Sequence, residues 1–200
     1  MRFFTYSNIL HHLLLTRFLV ACQYWSKTSA FRITEKRISY ELARTPPKVT
    51  LLEGNRKTTL SVIPDAWVKF DEMEGEARKS SVAILFELDR GMEHGVQFKQ
   101  HVRSRIEFVR SGVYQKTFGV PGVLIAYATT GQTPEYRHTR ARTISKWTME
   151  VLDALKLKHW AALFRFAAIE FDSLYAEASD LFEKEIWLRP DMREKVRLFD

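Results

Sequence analysis

The chain has 200 residues, of which 46% are apolar and 13% aromatic, enough for a buried core of domain size and too many for a disordered chain. Lysine and arginine exceed the acids by seven, which favours an anionic partner such as nucleic acid. The one cysteine, Cys22, excludes an intramolecular disulfide and a multi-cysteine zinc site.

Residues 7–26 read as a helix: Leu10, Leu13, Leu14, Arg17, Phe18, Ala21 and Trp25 follow i, i+3, i+4 spacing, and Ser7 or Asn8 can cap it. The stretch up to Cys22 would pass as a lipoprotein cleavage box. Arg17 interrupts its apolar run, however, and leaves a segment too short for a signal core or a bilayer span, so a buried amphipathic helix in a cytoplasmic protein is expected. Residues 34–43 suggest a second, short helix capped by Thr34 and stopped before Pro46. Residues 49–52 and 58–63 are rich in β-formers and flank a turn at 53–56, which predicts a hairpin. After Pro64 a strand over 66–70 is expected, then a charged connector over 71–80.

The segment 82–88 is apolar on both faces until its end and reads as a central strand. A basic helix over 95–112, a strand over 123–127, a loop over 129–132, a helix over 139–155 and a strand over 164–171 follow. Short pieces fill 173–188, and 191–200 is expected as a polar C-terminal tail. Antiparallel strands leading into a strand–helix–strand crossover imply an α/β fold with a mixed sheet flanked by helices, a single domain over 1–190 with the helical segment 7–43 packed on it.

Asp65 opens one apolar run, while Glu87 and Asp89 close another. On neighbouring strands these acids converge at one end of a sheet. Clustered carboxylates repel unless a cation or a proton lies between them, and their hard oxygens suit Mg²⁺ or Mn²⁺. The bland alternative is a turn aspartate and two solvated acids at strand ends. Lys99, Arg103, Arg105 and Arg110 on the first long helix and Arg140 and Arg142 on the second are the candidate DNA contacts, because backbone phosphates need such charges. The equally simple reading of each cluster is a solvated helix face.

The phrases Ile63-Pro64-Asp65-Ala66-Trp67 and Phe86-Glu87-Leu88-Asp89-Arg90-Gly91, with His12-Leu13, Phe98-Lys99 and Gly112-Val113-Tyr114, resemble the replication-relaxation family of plasmids and other mobile elements. That family's core in turn resembles the PD-(D/E)xK restriction-endonuclease fold. The resemblance implies a DNA-binding or DNA-processing protein acting in plasmid replication or mobilisation, with other proteins of that process as partners. It also implies Mg²⁺-dependent phosphodiester hydrolysis, an endonuclease or nickase activity, with Asp65, Glu87 and Asp89 as metal ligands and Lys99 as the assisting cation. Three departures stand out. Asp89 occupies the position of the family's catalytic lysine, so Lys99 or Lys69 would have to replace it; the first helix, 7–26, carries no acid where such nucleases often have a glutamate, so Glu35 or Glu41 would have to substitute; and the winged-helix region usual before the acidic core is not legible before Asp65. The alternative they leave open is a catalytically inactive nuclease-fold protein that binds DNA or serves as a protein-interaction scaffold.

Overall fold

The computed structural model describes residues 6–53, 56–131, 133–170 and 179–200. Helix α1 (Tyr6–Thr28) places Leu14, Leu15, Phe18, Ala21, Cys22 and Trp25 on one side, the i, i+4, i+7, i+8, i+11 arc that a helix buries. Phe18 stacks on Phe86 with ring centroids 3.6 Å apart.

The segment expected to be a second helix is mostly a strand, β1 (Phe31–Ile38), and only Ser39–Leu42 is helical (α2). Its solvent exposure alternates: Phe31, Ile33, Glu35 and Arg37 are partly covered, and Arg32, Thr34 and Lys36 are exposed. Pairing along the edge of β4 (Ala66–Glu74), together with the β-branched Ile33, Thr34 and Ile38, overrides a weak helical pattern. Glu41 closes the short turn by accepting the Ile38 amide at 2.9 Å.

β2 (Lys48–Glu53) and β3 (Arg56–Ser61) form the expected hairpin, as a small sheet of their own. The turn residues Gly54 and Asn55 lie outside the described residues. The supposed connector 71–80 is instead the far half of a long hairpin between β4 and β5 (Ala77–Asp89), turning at Gly75 with φ +65°. Its charges are cross-strand partners: Glu72 accepts from Lys79 and Ser80, each at 2.8 Å, and Asp71 accepts from Ser81 at 2.7 Å.

From β5 the chain crosses over through α3 (Gly95–Arg110) and α4 (Val113–Phe118) into β6 (Gly122–Thr129), which lies parallel to β5. Helix α5 (Pro134–Ala154) begins earlier than its apolar period suggests. Thr133 caps it by accepting the Tyr136 amide at 3.2 Å, and Pro134 takes the first turn, where no amide donor is needed. A 3-10 helix (Lys158–Leu163) leads to β7 (Phe164–Ala168), parallel to β6; the expected end of this strand at Phe171 lies outside the described residues, as do 173–178.

The expected polar tail folds back. After α6 (Asp180–Glu183) and β8 (Trp187–Leu188), strand β9 (Lys195–Val196) completes the sheet, and Val196 and Leu198 are buried. Arg165, 1% exposed, holds this segment by donating to the carbonyls of Leu198 at 3.1 Å and of Asp200. Burial and the nearby Arg189 lower its pKa to about 10.

The result is a seven-stranded mixed sheet in the order β1-β4-β5-β6-β7-β8-β9, flanked by helices. One face carries Val68, Phe86, Ala126 and Ala167 under α1 and the C-terminal segment. The other carries Trp67, Leu85, Ile125 and Phe166 under α3 and α5.

Candidate functional site

Register brings the acids together. Ala66 pairs with Phe86 in the antiparallel β4–β5 ladder, so Asp65, one residue earlier, faces Glu87, one residue later. The Leu88 amide donates to Asp65 Oδ2 at 2.7 Å and fixes the carboxylate at the mouth of the ladder. Side-chain alternation then places Glu87 and Asp89 on the α3/α5 side of the sheet. All three line one cavity of about 440 Å³ at the carboxyl ends of β5 and β6, together with His11, His101, Arg105 and Tyr127.

Each acid already has a basic side chain beside it. His11 Nε2 lies 3.1 Å from Asp65 Oδ1. Arg105, only 6% exposed, donates to Glu87 Oε1 through Nε at 2.7 Å, and its Nη2 lies 2.6 Å from the same oxygen as an ion pair. Arg140 grips Asp89 with two bonds, Nε to Oδ2 at 2.7 Å and Nη2 to Oδ1 at 3.0 Å, and also donates to the Glu93 carbonyl at 2.9 Å. Bidentate guanidinium–carboxylate pairs are the strong form of this contact. The loop that presents Asp89 depends on Gly91, which has φ +75°; a Cβ there would meet the Tyr136 hydroxyl at 1.8 Å.

Burial pushes the Glu87 carboxyl up to about 7, and repulsion from Asp65 adds to the shift while Arg105 opposes it. Arg105 is held protonated by Glu87 against its own burial. His101 is raised by its bond to Glu93, Nδ1 to Oε1 at 2.9 Å. Tyr127 is the neighbour of Glu87 across the β5–β6 ladder and is 4% exposed. Its hydroxyl is buried without a hydrogen-bond partner, and burial and Glu87 push its pKa up, so it stays a phenol able to donate.

As arranged, protein donors already engage much of the oxygen that a shared Mg²⁺ or Mn²⁺ would need. Asp89 spends both oxygens on Arg140, Glu87 Oε1 is taken by Arg105, and Asp65 is engaged by His11 and the Leu88 amide. Among the described residues no group of three or more His, Cys, Asp or Glu side chains is placed to hold a metal ion. The expected assisting lysine is not brought to the cavity either: Lys99 Nζ is 2.6 Å from Glu150 on α5, and Lys69 Nζ is 3.7 Å from Asp71. Helical phase contributes to this: Phe98, Val102, Arg105 and Ile106 form the inward arc of α3, and Lys99, about 100° from Phe98 and about 120° from Arg105, lies just beyond the Ile106 edge of that arc, on the side of α5.

The DNA-contact candidates are dispersed. Arg105 lines the cleft, Arg140 is tied to Asp89 beside it, and Arg110 pairs with Glu107 at 2.6 Å. Lys99 faces Glu150, Arg103 lies half-buried under β2, and Arg142 is exposed on α5. His12, of the phrase His12-Leu13, is exposed, and its neighbour His11 is the histidine that reaches Asp65. Arg140 was legible only as a basic residue, and Tyr127 only as part of an apolar strand. The one signal for Arg105 was a charge at i+7 on an otherwise apolar helical stripe.

Fold and site together define a mixed α/β protein with an arginine-neutralised carboxylate cleft at the carboxyl ends of its central strands. Compared with protein-family models, curated proteins and solved structures, the chain has no significant match. Among the described residues no helix is long and apolar enough to cross a membrane.

Proposed function

We propose that the chain is a DNA-binding protein of a mobile element, built on a restriction-endonuclease-like core whose acidic centre serves as structure rather than as a hydrolytic site. The observation that carries this reading is the pairing of Glu87 with Arg105 and of Asp89 with Arg140. Opposite charges within hydrogen-bond distance remove the need for a bound cation between the acids. Asp89 at the position of the nuclease lysine agrees with it. So does the path of the chain, with Asp65 before one strand and Glu87-Leu88-Asp89 ending its antiparallel neighbour in a mixed sheet flanked by helices. The net charge of +7 supports an anionic partner.

A second reading, Mg²⁺-dependent phosphodiester hydrolysis, keeps one observation in its favour: Asp65 and Glu87 face each other in a solvent-reached cavity. One experiment separates the two. Supercoiled plasmid is incubated with Mg²⁺ or Mn²⁺ and the wild type, Asp65→Ala or Glu87→Ala, beside a mobility-shift titration with salt. The structural reading expects salt-sensitive binding and the same background nicking in all three proteins. Nicking by the wild type that both variants lose reverses the order of the readings, and absence of any DNA binding removes both.

A further inference from the structure

The β2–β3 ribbon takes no part in the cleft, and its two strands hydrogen-bond only to each other. A lone two-stranded hairpin is marginal in water, so packing must hold it. Val49 and Leu51 supply that packing, buried on the side of the ribbon that faces α3. The other side is turned to solvent over its whole length. It presents three cross-strand pairs, Lys48 with Ser61, Thr50 with Thr59, and Leu52 with Lys57, and all six residues are exposed. Arg56 is exposed beside the turn. Lys48 and Lys57 have no carboxylate partner among the described residues, and the two threonine hydroxyls lie 3.4 Å apart.

That face is unusual in what it leaves uncovered. Leu52 is 68% exposed at the turn end of a charged, hydroxyl-rich surface. Lys57 lies opposite it and Lys48 at the other end of the same face, both without a counter-ion among the described residues, on a stretch, 48–61, that carries three basic residues and one acid. A two-stranded ribbon fits the major groove of B-form DNA, about 12 Å wide, in which hydroxyls can donate to or accept from base edges and an apolar side chain can meet a thymine methyl. Lysines at the ribbon margins then fall at phosphates, where their charge needs no partner within the protein.

We infer that the outer face of the β2–β3 ribbon enters the major groove of B-form DNA, with Thr50, Thr59 and Leu52 against base edges and Lys48, Arg56 and Lys57 at the flanking phosphates. The inference rests on the DNA-binding reading above and adds to it the surface and the groove. An RNA duplex is not an equivalent ligand, because its A-form major groove is too narrow for side chains to read. The rival DNA surface is the outer face of α5, where Arg142 and Lys146 are exposed one turn apart.

The test measures binding of a labelled B-form duplex by fluorescence polarisation over a range of salt. The proteins are the wild type, Lys48→Glu with Lys57→Glu, and Arg142→Glu with Lys146→Glu. The ribbon variant should bind at least about tenfold more weakly and lose about two units of the slope of log K against log salt, since each phosphate contact contributes roughly 0.9. The α5 variant should keep most of its affinity, and an RNA duplex of equal length should compete poorly. A second ribbon variant, Thr50→Val with Thr59→Val, keeps the strand-forming shape and the charges. It should hold the salt slope while losing the sequence preference that the wild type shows in selection from a random duplex pool. A ribbon variant with wild-type affinity and slope, or equal competition by RNA, overturns the ribbon assignment and leaves DNA binding standing. A wild type that binds no duplex overturns the ribbon together with the reading it rests on.

Discussion

Glu87 is the residue at which the competing forces of the cleft are most evenly matched. Burial and Asp65 favour its neutral form, while Arg105, hydrogen-bonded and ion-paired to it, favours the charged one. With its folded-state pKa raised from 4.5 to about 7, the group stabilises the fold fully below the unfolded value, and that contribution is lost as pH rises through 7. The loss amounts to at most about 3 kcal/mol, at 1.36 kcal/mol for each pKa unit. Glu87→Gln has no such proton to lose, so its unfolding free energy should change less between pH 5 and pH 8 than that of the wild type. His101, raised by its bond to Glu93 and more weakly by the Glu87 charge, is present in both proteins. The Gln variant also leaves Arg105 less well paired, a cost that does not vary with pH over this range, because the guanidinium stays charged. Denaturant unfolding at several pH values reads the difference in slope, and parallel curves for the two proteins would show that Glu87 is ionised throughout.

Asp89 and Arg140 join elements that are far apart in the chain: the end of β5, the loop before α3 through the Glu93 carbonyl, and the first half of α5. Arg140 also lies over the Trp147 ring, 5.3 Å from its centroid. Breaking a buried pair from one side leaves an uncompensated charge, at about 3–5 kcal/mol. Asp89→Asn and Arg140→Met should each cost a large part of that, and the double variant should cost far less than their sum in a denaturant-unfolding cycle. Additive losses would mean that the two side chains do not act as a unit. This pair also shows where the sequence stopped being informative. The strands over 66–70 and 82–88, the crossover to β6 and, given that those two strands pair, the meeting of Asp65 with Glu87 are legible, because long apolar runs and the two-residue period of strands fix register once neighbours are chosen; the extension of the first two into one long hairpin over 71–80 is not. The partners of the acids were not. Which basic residue of α3 reaches Glu87 depends on helical phase against a core that the chain must first assemble, and Lys99 was chosen where Arg105 sits. The strand β1 was misread for a related reason, since its periodicity is weak and pairing with β4 decides it.

At the scale of the whole molecule, the cleft and the return of the C-terminal segment lie at opposite ends of the sheet. The acids gather where β5 and β6 end, whereas Phe199 packs beside Phe31 and near Gly122, where β1 and β6 begin. Trp25 links this second cluster to α1: its ring stacks on Phe182 at 4.2 Å and lies 5.6 Å from Phe199. Strand β9 with Leu198 and Phe199 therefore covers one core jointly with the first helix and the first strand, and Arg165 ties it down from β7. Removing residues 195–200 uncovers Trp25 and Phe31 and strips Arg165 of two carbonyl acceptors. Loss of one buried valine and one buried leucine, together with the cover given by Phe199, should lower the unfolding free energy by about 4 kcal/mol or more. The same truncation should leave the cleft intact below the unfolding transition, because no residue that lines it comes from this segment. The expected result is a lower denaturation midpoint, with faster amide exchange in α1 and β1 and an unchanged Glu87-dependent pH slope. A truncated chain of wild-type stability would show that the C-terminal segment only rests on the core, and a lost pH slope in a still-folded chain would show that the two ends of the sheet are coupled.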